Sequence, residues 1–172
     1  GKVLYAVKAN PHPAVLKILW VNGLRGFDVA SIREIDLVRT TCPDADLYLM
    51  HPVKSRRTIR HAYDVGVRHF AFDCAAELGK ILVETNDAAD LHLHLRLALP
   101  KGGSATMPLD GKYGADFKDA ADLLRRARPV PAKLGVCFHV GSQCMDPSDY
   151  TKALSYVHGL PAAPDVFISS PR

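Results

Sequence analysis

The sequence has 172 residues, 48% hydrophobic and 23% charged, with a formal net charge of +4. That is enough apolar material for one sizeable core, and it excludes a disordered chain. The mild charge excludes a nucleic-acid surface: Arg56, Arg57 and Arg60, and Arg125, Arg126 and Arg128, sit among acids and read as solvated helix faces.

Short β-branched or aromatic runs alternate with helical patterns from the start. Val3–Lys8 reads as a strand, and Pro13–Asn22 as a helix stopped by Gly23. Gly26–Ala30 is the next strand. A helix over Ile32–Thr41 follows, with Ser31 as N-cap and Glu34 at the capping-box spacing. Leu47–Met50 reads as a strand, Ser55–Val65 as a helix ending at Gly66, His69–Phe72 as a strand and Ala75–Thr85 as a helix. Leu91–Leu99 is a long strand. The polar, Gly-rich stretch Pro100–Gly114 is long for a connector and reads as a functional loop. Asp116–Arg128 is a helix, Leu134–Val140 a strand, Pro147–His158 a helix, and Asp165–Ser169 a last strand.

This βα rhythm implies parallel strands with helical crossovers, covered on both faces. No Gly-x-Gly-x-x-Gly follows the first strand, which removes the dinucleotide-binding fingerprint of an open doubly wound sheet. About seven strands therefore fit an α/β fold, a partial (β/α)8 TIM barrel short of at least one strand, with 1–172 as a single domain. No apolar run reaches the roughly 18 residues that span a bilayer. Cys42, Cys74, Cys137 and Cys144 lack CxxC spacing, so neither a metal site nor a disulfide framework is expected, and a cytoplasmic setting is.

Position carries the functional signal. The strand ends hold Lys8, Asp28 with Ser31, His51, Asp73, Arg96, and His139 with Ser142. Barrel enzymes assemble their sites at that rim. A lone polar residue at a strand end is more often a helix cap, and Asp73 before Cys74–Glu77 is best read so. Lys8 ends an apolar strand, where partial desolvation would lower its pKa and suit Schiff-base chemistry; a rim lysine that snorkels to water fits equally well. A Schiff base to pyridoxal phosphate (PLP) would need a flat plate and phosphate donors. His139 can be the plate, though it could also be a core histidine bonded to a carbonyl. Gly141 and Ser142 can offer N–H and hydroxyl groups to phosphate. Arg96 in a barrel strand needs an anionic neighbour, from protein or cofactor. His92 and His94 alternate with apolar residues and are expected to face outward, without a role.

Together these residues resemble the PLP-dependent fold-type III decarboxylases acting on ornithine, lysine, arginine or diaminopimelate. Tyr-Ala-Val-Lys-Ala-Asn at 5–10 resembles the family's cofactor-lysine motif. Gly-Phe-Asp-Val-Ala-Ser at 26–31, with Glu34, resembles the motif whose acids line the site. Phe-His-Val-Gly-Ser-Gln at 138–143 resembles the motif whose histidine stacks on the ring and whose serine meets phosphate. Arg96 matches the family's strand arginine. The resemblance implies the alanine racemase/ornithine decarboxylase N-terminal barrel, with Lys8 and His139 catalytic and Lys8, Asp28, Glu34, Arg96, His139 and Ser142 holding PLP. His-Pro-Val-Lys at 51–54 resembles the Asn-Pro-Cys-Lys of ornithine decarboxylases, and Gly-Lys-Tyr-Gly at 111–114 their Lys-Phe-Gly. These tilt the implied substrate to L-ornithine, giving putrescine for polyamine biosynthesis, with lysine, arginine or diaminopimelate as alternatives. A non-catalytic regulatory homologue is the other class, and a racemase-like or cofactor-carrier relative a third. The implied parent is a homodimer that binds no nucleic acid or membrane. The family's Gly-Gly-Gly-Phe-Pro and Glu-Pro-Gly-Arg motifs and its C-terminal β domain have no counterpart in these residues. The first barrel strand and helix are expected to be missing too, and the chain alone to be inactive.

Overall fold

The computed structural model describes residues 1–100, 104–105 and 111–160, and the backbone of 167–169. Seven strands form one parallel sheet: β1 (Leu4–Ala6), β2 (Gly26–Asp28), β3 (Asp46–Leu49), β4 (His69–Phe72), β5 (His92–Arg96), β6 (Lys133–Cys137) and β7 (Phe167–Ser169). Between them run α1 (Pro13–Val21), α2 (Ile32–Thr41), α3 (Arg56–Asp64), α4 (Ala75–Glu84), α5 (Phe117–Ala127) and α6 (Ser148–His158). Every strand pairs with its sequence neighbours, in order. That is the progressive winding of a barrel, without the reversal of strand order that marks a doubly wound sheet. The partial-barrel expectation holds, with β1 and β7 at the two edges.

Local chemistry sets the helix ends. The Ser31 Oγ accepts from Glu34 N at 3.3 Å, and Glu34 Oε2 accepts from Ala30 N at 2.8 Å, so the predicted capping signal is real. The Ser55 Oγ caps α3 by accepting from Thr58 N at 3.1 Å. The Gly-rich stretch 100–114 lies mostly outside the described residues, as do Asp165 and Val166 of the last predicted strand.

The sheet has two unlike faces. The outer one sets Phe27, Leu47, Leu49, Phe70, Phe72, Leu93 and Leu95 into one apolar cluster with helix residues such as Ile35, Ile59, Ile81 and Leu124. The inner one holds a small apolar group, Tyr48, Met50, Ala71 and Cys137. That face also carries His69, His92, His94 and Arg96, and this corrects the expectation for His92 and His94. In register, Tyr48 lies beside His69 and His69 beside His92, while Ala71 and Gly135 flank His94. Neighbours in register share a face, so these histidines point into the barrel. His69 Nδ1 lies 3.0 Å from His94 Nε2, and His92 Nδ1 lies 3.1 Å from His69 Nε2. Burial pushes His94 down to about 3 and His69 down to about 4, so the cluster is neutral at pH 7. The physical reason for the inversion is area: Leu93, Leu95 and Leu97 bury against the helices, which leaves the alternate positions facing inward.

Candidate active site

Strand β1 stops at Ala6, and a single 3-10 turn, Val7–Ala9, carries Lys8 over the rim. Val7 is fully buried and anchors that turn, while Lys8 is exposed. Of the two readings left open for Lys8, the structure matches the rim lysine that reaches water, because the turn lifts the side chain out of the sheet.

Asp28 ends β2, and its Oδ1 accepts from Met50 N at 3.4 Å. Burial pushes its pKa up to about 6, against the opposing pull of that hydrogen bond, Lys8 and Arg96. Glu34 adds a smaller push upward, so it lies within electrostatic reach of Asp28 while one of its oxygens caps α2. Asp73 does not cap α4. The N-cap is Cys74, without a side-chain cap bond, and Asp73 Oδ2 instead accepts from Gly114 N at 3.1 Å. The returning loop competes for that carboxylate and wins it.

Arg96 ends β5 on the inner face, beside Cys137 in register. It is half-buried, and among the described residues no carboxylate stands in ion-pair range of it. His139 lies two residues past the end of β6 and is half-buried. Its Nδ1 accepts from Gly141 N at 2.9 Å, so the neutral ring carries its proton on Nε2. Burial, then Arg96 and Lys8, lower the His139 pKa. This sets aside the core-histidine reading, since the ring's backbone bond is local and its edge reaches a cavity. That cavity, about 310 Å³, is lined by Lys8, His139, Gly141, Ser142, Cys144 and Tyr150 among others, within the range of small-molecule sites. Lys8 and Arg96 thus lie within electrostatic reach of both Asp28 and His139, and Ser142 lines the cavity with Lys8 and His139.

Sequence reasoning missed Cys144 and Tyr150 as cavity wall. Their only signal was closeness in sequence to Ser142. It also missed Lys54, whose buried ammonium donates to His51 O at 3.0 Å and to Ala71 O at 2.5 Å and pairs with Glu77 at 2.9 Å. Among the described residues no group of three or more His, Cys, Asp or Glu could hold a metal ion.

Residues 1–163 match the family described as pyridoxal-dependent decarboxylase, pyridoxal binding domain. The chain belongs to this family. It is 36% identical over 154 residues to the lysine/ornithine decarboxylase of Selenomonas ruminantium, covering 88% of this chain and 38% of that one. It is 37% identical over 157 residues to antizyme inhibitor 2 of Xenopus laevis, covering 90% of this chain and 33% of that one. Its fold matches an SrLDC variant solved in complex with PLP at a TM-score of 0.80 and 34% identity, over 91% of this chain and 40% of that one. The chain thus spans well under half the length of these relatives.

The cofactor of this family domain is pyridoxal phosphate. The donor set at the rim fits it. Lys8 offers an amine, His139 a flat half-buried ring, Ser142 a hydroxyl, and Arg96 a guanidinium with no carboxylate partner among the described residues. An anion of phosphate type would supply the counter-charge that a half-buried cation needs.

Proposed function

We propose that Lys8 carries the cofactor and that 1–172 is one barrel domain of a longer decarboxylase of basic amino acids, with L-ornithine as substrate. The observation that supports this most is Arg96, a half-buried guanidinium on the inner face, coupled to Lys8's neighbours Asp28 and His139 but ion-paired to no described carboxylate. In this reading His139 covers one face of the cofactor ring and excludes water from it. Arg96 and Ser142 hold the cofactor in place. Asp28, with its pKa near 6, holds negative charge at pH 7 between two cations and can retain the Lys8 ammonium when the lysine is displaced. Glu34 sets the charge around that pair. PLP, when bound, supplies the electron sink for the charge left as carbon dioxide departs.

The preference for ornithine rests on the His51–Lys54 and Gly111–Gly114 segments and on the similarity to a lysine/ornithine decarboxylase. The whole protein is read as a cytoplasmic homodimer; no helix of the described residues is long and apolar enough to cross a membrane. The similarity to antizyme inhibitor 2 favours a second reading, a regulatory homologue without turnover. Retention of Lys8, Arg96 and His139 speaks for the first.

The test is carbon dioxide release by the full-length protein from ornithine, lysine, arginine and diaminopimelate in turn. Fastest release from ornithine is expected, and no release from any of them would favour the regulatory reading. Residues 1–172 alone are expected to give no steady turnover. The near-visible absorbance of bound PLP should vanish in Lys8→Ala.

A further inference from the structure

The His51 side chain stands at the rim just past the end of β3. It follows Met50, whose N–H is held by Asp28, so it lies on the strand end next to Asp28. Its backbone is clamped: the Lys54 Nζ donates to His51 O at 3.0 Å and to Pro52 O at 3.4 Å, and pairs with Glu77. Its ring is fixed as well. Val53 N donates to His51 Nδ1 at 3.0 Å, and the Tyr113 ring meets it edge-on, with centroids 5.2 Å apart.

A neutral imidazole has one N–H. With Nδ1 accepting from Val53, that N–H is on Nε2. Among the described residues no hydrogen-bond acceptor is assigned to it. Burial, followed by Lys54, Lys8 and Arg96, lowers the His51 pKa and so favours the neutral ring, which adds a donor to the rim. The same charges show that Lys8 and Arg96 are within electrostatic reach.

We propose that His51 is a further ligand-binding residue of this site, its Nε2–H donating to an anionic oxygen of the bound cofactor or of the amino acid. The proposal rests on the PLP reading of the site. In form it parallels His139, whose Nδ1 is likewise occupied by a backbone N–H two residues on.

The experiment compares full-length wild type, His51→Asn and His51→Ala by PLP titration, followed through bound-cofactor absorbance, and by kcat and KM for ornithine. A hydrogen bond to a charged oxygen is worth about tenfold or more in affinity. His51→Ala is expected to raise the PLP dissociation constant by about tenfold if the acceptor belongs to the cofactor, or KM alone by about tenfold if it is the substrate carboxylate. His51→Asn, which keeps an N–H donor, should stay within about threefold of wild type. Unchanged PLP affinity and KM in His51→Ala overturn the proposal, and so does a loss of thermal stability with both constants unchanged. If wild type shows no Lys8-dependent PLP band, the PLP reading falls and this proposal with it; a normal band with unaltered His51→Ala sinks this proposal alone.

Discussion

The histidine cluster on the inner face, where β4 and β5 begin, makes acid stability a sharp test. His69, His92 and His94 form a chain of hydrogen bonds on the inner face, with the Tyr48 ring 4.0 Å from that of His69. Lys2, Lys133 and Asp46 are the charges that act on it, with Asp90 acting on His92 alone. His69 falls to about 4 and His94 to about 3 from an ordinary 6.5, and His92 is lowered too, in each case chiefly by burial. Folded pKa values are therefore below unfolded ones, so the unfolded chain binds more protons in between. Stability is fully present above about pH 6.5 and is lost as pH falls below it, by about 1.4 kcal/mol per pH unit for the deeply buried His94 and by less for His69 and His92, which solvent screens in part. Asp28 works in the opposite sense. Its folded pKa, about 6, is raised, so it gains a proton on folding and offsets one histidine between pH 6 and 4.

His69→Met isolates the cluster's share, because His69 is the middle of the chain. At pH 7 the variant loses two hydrogen bonds and should be less stable, by about 1–3 kcal/mol. Between pH 7 and 5 it should lose about 1–2 kcal/mol less than wild type, since one reluctant titrating group is gone and His94 has lost a neighbour that opposes its protonation. Urea unfolding at pH 7, 6 and 5 measures both. Parallel stability-against-pH curves would refute the reasoning.

Two further outcomes test the rim. Gly114 has φ 110°, and an added Cβ would stand 2.5 Å from Ala98 N, so Gly114→Ala should cost about 1–3 kcal/mol and weaken PLP binding by releasing the N–H held by Asp73; an unaltered melting temperature would show that the loop relaxes freely. Lys54→Met strands the buried Glu77 and should destabilise by about 3 kcal/mol, the low end of the range because Lys80 still pairs with Glu77 at 2.6 Å; adding Glu77→Leu should restore most of it, and denaturant midpoints of the single and double variants decide the matter.

Elements bounded by local chemistry were legible. Ile32–Thr41 and His69–Phe72 match residue for residue, the first because Ser31 and Glu34 fix where the helix starts. Strand ends are less so: the predicted Leu91–Leu99 stops at Arg96, after which Leu97 keeps one bond to Cys137 O and an isolated bridge to Ala115. Positions at the rim were legible because a parallel barrel sends every strand's C-terminal end to one side. Partners across the rim were not. Asp73 meets Gly114 from 41 residues away, and Lys54 meets Ala71 and Glu77 on the next βα unit. Those contacts depend on how loops return, which no local pattern encodes.

The expectation that His92 and His94 face outward fails for a reason that β5 itself contains. It places Arg96 in the site and both histidines outside. In one unbroken strand residues two apart share a face. His92, His94 and Arg96 lie at i, i+2 and i+4 of β5, with no bulge in its pairing to β4 or β6. An inward Arg96 therefore requires two inward histidines, and outward histidines would have carried Arg96 into the apolar layer of Leu93 and Leu95. Burying a guanidinium there would leave it with neither water nor an anion. A residue on a strand that must face a ligand thus fixes the phase of every residue before it, and the polar barrel interior follows from Arg96 alone.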